Sequence, residues 1–94
     1  MRDSSDNLFA NLTISNARKF GVFLSNVENH DTCPVNNEFR DLTIVDSKLS
    51  AFRLNSECEN NRLTGRTIFR GNLGGCIEET TSVKLGVTGN YLCE

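Results

Sequence analysis

One unit of sequence recurs along this chain, and that recurrence limits the fold more than any other feature. The first copy runs from Asp6-Asn7 through Phe9, Leu12, Thr13 and Ile14 to Gly21, Val22 and Leu24. The second runs from Asn36-Asn37 through Phe39, Leu42, Thr43 and Ile44 to Ala51, Phe52 and Leu54. The third runs from Asn60-Asn61 through Leu63, Arg66, Thr67 and Ile68 to Gly75 and Cys76, and Val87-Thr88-Gly89-Asn90-Tyr91-Leu92 opens a fourth. The offset is 30 residues from the first copy to the second and 24 thereafter. The extra residues fit an insertion near His30 to Val35, where Asp31-Thr32-Cys33-Pro34 reads as loop.

The period inside each unit decides between strands and helices. Leu12-Thr13-Ile14-Ser15 and Leu42-Thr43-Ile44-Val45 alternate at period two, and so do Val22-Phe23-Leu24 and Phe52-Arg53-Leu54. β-branched residues are frequent, and Asn, Asp, Ser and Gly fill the connections. Each unit is too short for two helices with their turns and long enough for two or three short strands with bends. Strands stacked in register place like residues about 4.8 Å apart. Phe9, Phe39, Leu63 and Val87 then form one interior column, and Ile14, Ile44, Ile68 and Leu92 a second. Ser15, Val45, Phe69 and Cys93 fall in the opposite phase and are expected to point outward. Asn7, Asn37 and Asn61 form a column whose amides can hydrogen-bond from one coil to the next. Asn11, Asp41, Gly65 and Gly89 mark a bend that needs unusual backbone angles.

The pattern Asn-Asn-x-Phe-x-Asp-Leu-Thr-Ile, followed by a small residue and a second apolar strand, resembles the repeats of the pectin-lyase-like superfamily. That group includes pectate lyases, polygalacturonases, alginate lyases and epimerases, and phage tailspikes. The resemblance covers roughly Asp6 to Glu94 and implies an all-β fold, a right-handed single-stranded parallel β-helix of about 3.5–4 coils. One β-helix segment spans 1–94, with coils at about 6–35, 36–59, 60–83 and an incomplete 84–94. Superfamily members usually have many more coils, so the chain resembles a portion of such a protein.

Composition removes several function classes. The net charge is -2, from 10 basic and 12 acidic residues spread along the chain, so the basic stripe of a nucleic-acid binder is missing. No apolar run approaches the ~20 residues of a membrane-spanning helix, and the residues from Met1 to Asp6 are too polar for a signal peptide. One His and four cysteines with no Cys-x-x-Cys pair give no support to a metal site, and no cofactor motif is present. The compartment is open, with an extracellular or virion-surface setting preferred.

Several residues could carry chemistry. His30-Asp31 in the insertion resemble the acid/base residues of sugar-processing enzymes, against the simpler reading of an exposed polar loop. Asp41 and Asp46, with Arg40, Lys48 and Arg53 nearby, are the best raw material for a polysaccharide site, with Arg40, Asp46, Lys48, Arg53 and Arg70 as its candidate ligand-binding residues, although Asp46, between Asn16 and Arg70, also reads as a surface ladder. Glu78 falls on the interior column of Leu24 and Leu54 at the 24-residue offset, where an unpaired charge is costly, so either the register slips by one near Gly74-Gly75, the preferred reading, or the coil opens there. Cys33 and Cys58 occupy equivalent turns and form a candidate disulfide, whereas Cys76 and Cys93 read as small packing residues. Val45, Phe69 and Cys93 make a candidate interface, because a stacked outward apolar row marks a contact. The sequon Asn11-Leu12-Thr13 falls in an expected strand and reads as accidental.

The functional expectation is a non-catalytic β-helix module for carbohydrate binding or structural assembly within a larger extracellular or phage-type protein. Its partners would be a polysaccharide or oligosaccharide, or further coils reached by self-association or packing. A fragment of a polysaccharide lyase, hydrolase or epimerase and a scaffold stacking end to end are the alternatives.

Overall fold

A computed structural model describes residues 6–24, 35–54, 58–79 and 85–94. The described residues form eleven strands and no helix. In order these are β1 (Leu8–Ala10), β2 (Thr13–Ser15), β3 (Val22–Leu24), β4 (Glu38–Arg40), β5 (Thr43–Val45) and β6 (Phe52–Leu54), followed by β7 (Arg62–Thr64), β8 (Arg66–Arg70), β9 (Ile77–Glu79), β10 (Gly86–Val87) and β11 (Asn90–Cys93). With no helix, no described segment is a helix long and apolar enough to cross a membrane.

All pairings are parallel, and they build three sheets. The first has the order β1-β4-β7-β10, the second β2-β5-β8-β11 and the third β3-β6-β9. Each repeat gives one strand to each sheet in turn, so the chain passes through the sheets in rungs, as a β-solenoid requires. The strands are only a few residues long because a left-handed bend interrupts them at each corner. Asp6, Asn36 and Asn60 bend with φ near 60° before the first sheet, and Asn11, Asp41, Gly65 and Gly89 bend between the first and second. Asn16, Asp46 and Gly71 bend after the second. Asn, Asp and Gly tolerate this conformation at least cost, which is why they punctuate the repeat.

The core lies between the three sheets. Phe9, Phe39, Leu63 and Val87 stack as expected, with the Phe9 and Phe39 rings 5.0 Å apart at 15°. Phe39 also meets Phe52 edge-on at 5.2 Å. Phe39, Leu42, Ile44, Phe52, Leu54, Leu63 and Phe69 are buried, each worth roughly 1.5–3 kcal/mol relative to exposure.

The Asn-Asn pair that opens each repeat divides its work. The first member bends, and the second builds a ladder through the interior. Asn7 donates from its backbone N–H and from Nδ2 to Asn37 Oδ1, at 3.1 and 3.2 Å. Asn37 repeats both bonds to Asn61 Oδ1 at 3.1 and 3.0 Å, and Asn61 Nδ2 ends on Cys58 O at 3.1 Å. A second buried polar step sits after the second sheet. Asn72 Oδ1 accepts from the Ser47 hydroxyl at 2.6 Å and its backbone N–H at 2.9 Å, while Asn72 Nδ2 donates to Ile44 O at 3.1 Å.

One register expectation fails. The first sheet keeps the 24-residue offset, with Arg40 beside Thr64, but in the second sheet Thr43 lies beside Ile68 and Ile44 beside Phe69. The extra residue enters at the Gly65-Arg66 bend and not at Gly74-Gly75. Asp41 Oδ1 accepts the Arg66 N–H at 2.9 Å there and holds the lengthened corner. The interior column is therefore Ile14, Ile44, Phe69 and Cys93, and Ile68 and Leu92 face outward. Phe69, expected outside, is fully buried, and its ring meets Tyr91 edge-on at 5.8 Å. The outward row is Ser15, Val45, Arg70 and then Glu94.

The cysteines also depart from expectation. Cys76 and Cys93 form a disulfide with Cα atoms 6.1 Å apart and do not act as simple packing residues. Cys58 is buried and disulfide-bonded, while Cys33, its expected partner, lies outside the described residues.

Candidate functional site

The third sheet presents the most varied chemistry on its outer face. Its strands bury Val22, Leu24, Phe52 and Leu54, so the residues between them, Phe23 and Arg53, turn outward. Register places Phe23 beside Arg53 and Arg53 beside Glu78. The last pairing exists only because of the extra residue at Gly65-Arg66, since a 24-residue offset would put Ile77 there. Phe20, in the corner before β3, packs against Phe23 with ring centroids 5.1 Å apart. The Arg53 guanidinium carbon lies 5.4 Å from the centre of the Phe20 ring and 5.6 Å from that of Phe23. Both are cation–π distances.

Glu78 completes the group. Its carboxylate accepts from Arg53 Nη1 and, at 3.1 Å, from the Ser50 hydroxyl. The Arg53 side chain is 27% exposed and that of Glu78 44%, so the pair itself adds about 0–1 kcal/mol of stability. Arg53 Nε is buried, with no hydrogen-bond partner. The result is a half-exposed surface with two aromatic rings at one side and a guanidinium–carboxylate pair at the other.

A second constellation occupies the outer face of the first sheet. Glu38 accepts from the Thr64 hydroxyl at 2.8 Å, from Arg40 Nη2 at 3.1 Å and Nε at 3.3 Å, and from Arg62 Nη2 at 3.3 Å. The Thr64 hydrogen bond, followed by Arg40 and Arg62, holds the Glu38 carboxyl below the usual glutamate range, against a desolvation effect that raises it. Charges of opposite sign thus meet across the rungs, and one carboxylate is shared by two guanidiniums.

No family model, curated protein or solved structure matches this chain. Chemistry and geometry therefore have to carry the functional reading by themselves.

The five residues expected to bind a ligand are spread over three faces. Arg40 belongs to the first sheet and Arg53 to the third, while Arg70 ends β8 of the second and pairs with Glu94 at 2.7 Å. Lys48 is exposed at the corner after β5. Asp46, in that same corner, is a bend residue with φ 56°, and its register neighbour across the rung is Gly71, not Arg70. Only Arg53 lies in the aromatic group. His30 and Asp31 lie outside the described residues. Asn11 sits at an exposed bend with φ 57° and not within a strand. Among the described residues no three His, Cys, Asp or Glu side chains converge as a metal site.

The sequence reading passed over Phe20, Phe23, Glu38, Arg62 and Thr64. Glu38 and Arg62 carry opposite charges one repeat apart, which is a legible signal in a parallel stack. Phe23 and Arg53 likewise share a column once the insertion is allowed for.

Proposed function

We propose that the chain is a non-catalytic module of a right-handed parallel β-helix, of about 3.5–4 coils, that binds an oligosaccharide or polysaccharide on the outer face of its third sheet. The module would belong to a larger extracellular or phage-type protein resembling the pectin-lyase-like superfamily. Right-handedness is supported by the near-universal hand of parallel crossover connections. The binding reading is carried by one observation, the placement of Arg53 between the Phe20 and Phe23 rings and the Glu78 carboxylate. A pyranose ring has an apolar C–H face and an edge of hydroxyls. Aromatic rings suit the first, and a guanidinium and carboxylate suit the second.

The test is isothermal titration against a panel of neutral and acidic oligosaccharides, with Phe20→Ala/Phe23→Ala as the comparison. The reading expects saturable binding to one glycan class, weakened at least about tenfold in the double variant, equal to 1.4 kcal/mol or more. Binding that survives the double variant unchanged, or a panel with no binder, overturns it. Release of shortened sugar would favour a hydrolase fragment, release of unsaturated sugar a lyase fragment, and an inverted stereocentre in sugar of unchanged length an epimerase fragment.

A further inference from the structure

The two ends of the stack differ in chemistry. In the first rung the interior columns of the first two sheets come towards the surface, while Val22 and Leu24 of the third stay buried. Leu12 is 36% exposed while Leu42 beneath it is fully buried, and Phe9 and Ile14 are only partly covered. The Asn ladder is open at the same end. Asn37 Oδ1 and Asn61 Oδ1 each take two N–H groups from the rung above. No described residue donates to Asn7 Oδ1. The chain also reaches this rung with the geometry of an internal one. Asp6 has φ 60° and donates to Val35 O at 3.1 Å, as Asn36, with φ 59°, donates to Glu59 O at 3.1 Å.

The last rung exposes interior-column residues too, Val87 and Tyr91, but its ladder is closed. Leu85 follows Asn61 in the ladder column, because Gly86 pairs with Arg62, and it has no side-chain oxygen to continue the ladder. Its backbone N–H, which in the rungs above is taken by the next Asn, donates to Glu79 Oε2 at 2.6 Å. Register places Glu79 on the interior column of Leu24 and Leu54, so a strand laid beneath it would bury a carboxylate among leucines. The Cys76–Cys93 disulfide ties the lead-in to β9 to the end of β11 at this same end.

We infer that the first rung is a docking end for one further parallel β-rung carrying Asn at the ladder position, and that Glu79, Leu85 and the disulfide make the last rung a stop. The occupant is a solenoid rung of the same repeat, whose contacts would continue those already made between Asn7, Asn37 and Asn61. A second copy of this chain does not fit, because its own last rung would present Leu85 and the Glu79 carboxylate. The inference depends on rung geometry alone and is independent of any sugar ligand.

The test extends the chain at either end. One variant carries a copy of residues 36–59 in place of residues 1–5, directly ahead of Asp6. The other carries a copy of residues 46–69 after Glu94. The first extension raises the thermal midpoint by about 5 °C or more, and Asn37→Leu within the added copy removes most of that gain. The second gives no rise unless combined with Glu79→Leu in the parent rung, which then restores one. Equal gains at both ends, no gain at the first end, or growth of the parent chain into end-to-end assemblies with concentration would overturn the inference.

Discussion

Asn37 Nδ2 and the Asn37 backbone N–H both donate to the same oxygen, Asn61 Oδ1, at 3.0 and 3.1 Å. Its own Oδ1 meanwhile accepts two bonds from Asn7. One fully buried side chain therefore joins three rungs. Asn37→Leu keeps the branched shape but strands the Asn7 donors and leaves Asn61 Oδ1 only its bond from the Asn37 backbone N–H. A loss of about 2–4 kcal/mol is expected from the unpaired groups, measurable by urea denaturation. A loss below about 0.5 kcal/mol would mean that the ladder contributes little.

Thr67 presents the opposite case. It occupies the interior column below Leu42 and is fully buried, and its hydroxyl has no hydrogen-bond partner. Thr67→Val keeps the shape and removes the unpaired group, so a gain of about 1 kcal/mol is expected. A lower denaturation midpoint for this variant would show that the hydroxyl is satisfied in solution.

Acid should act through Glu38. Its carboxyl is held below the usual glutamate range, first by the Thr64 hydroxyl and then by Arg40 and Arg62. A carboxyl with a depressed folded-state value contributes stability above the unfolded-state value. That contribution is lost as pH falls through the two values. Denaturation midpoints measured across the acid range should therefore fall less steeply for Glu38→Gln than for the parent chain. Identical acid slopes would remove Glu38 from the account.

The disulfide between Cys76 and Cys93 closes a span of 17 residues at the lower end of the stack. Cys76→Ser/Cys93→Ser should cost about 3 kcal/mol in the chain-entropy picture. The upper rungs should keep their amide protection, because they share no strand with the cross-link. Loss of protection throughout would show that the rungs unfold as one unit.

Much of the fold was legible because a parallel stack writes its neighbours into the sequence at a fixed spacing. The Phe9 column and the Asn7 ladder fall where the repeat places them. So does the bend column that passes from Asn11 and Asp41 to Gly65 and Gly89. The failure has a local cause. Arg66-Thr67-Ile68-Phe69 reads equally well at two registers, since either phase buries an apolar residue, Ile68 or Phe69. The Asp41 carboxylate accepting the Arg66 N–H is a contact between rungs that no single repeat reveals. That one residue moved Phe69 inside, brought Glu78 beside Arg53 and left Glu79 on the leucine column. In the group around Arg53 only Glu78 was hidden for the same reason, because Phe23 and Arg53 already align at the 30-residue offset.

The register of the second sheet is the claim on which the core, the Arg53 group and the closed lower end all depend. Solution NMR with methyl-labelled isoleucine tests it directly through contacts between the Ile44 methyl groups and the neighbouring rung. The account predicts strong contacts from Ile44 to the Phe69 ring, with Ile68 methyl groups open to a water-soluble relaxation agent. Contacts from Ile44 to Ile68, with an exposed Phe69 ring, would contradict it.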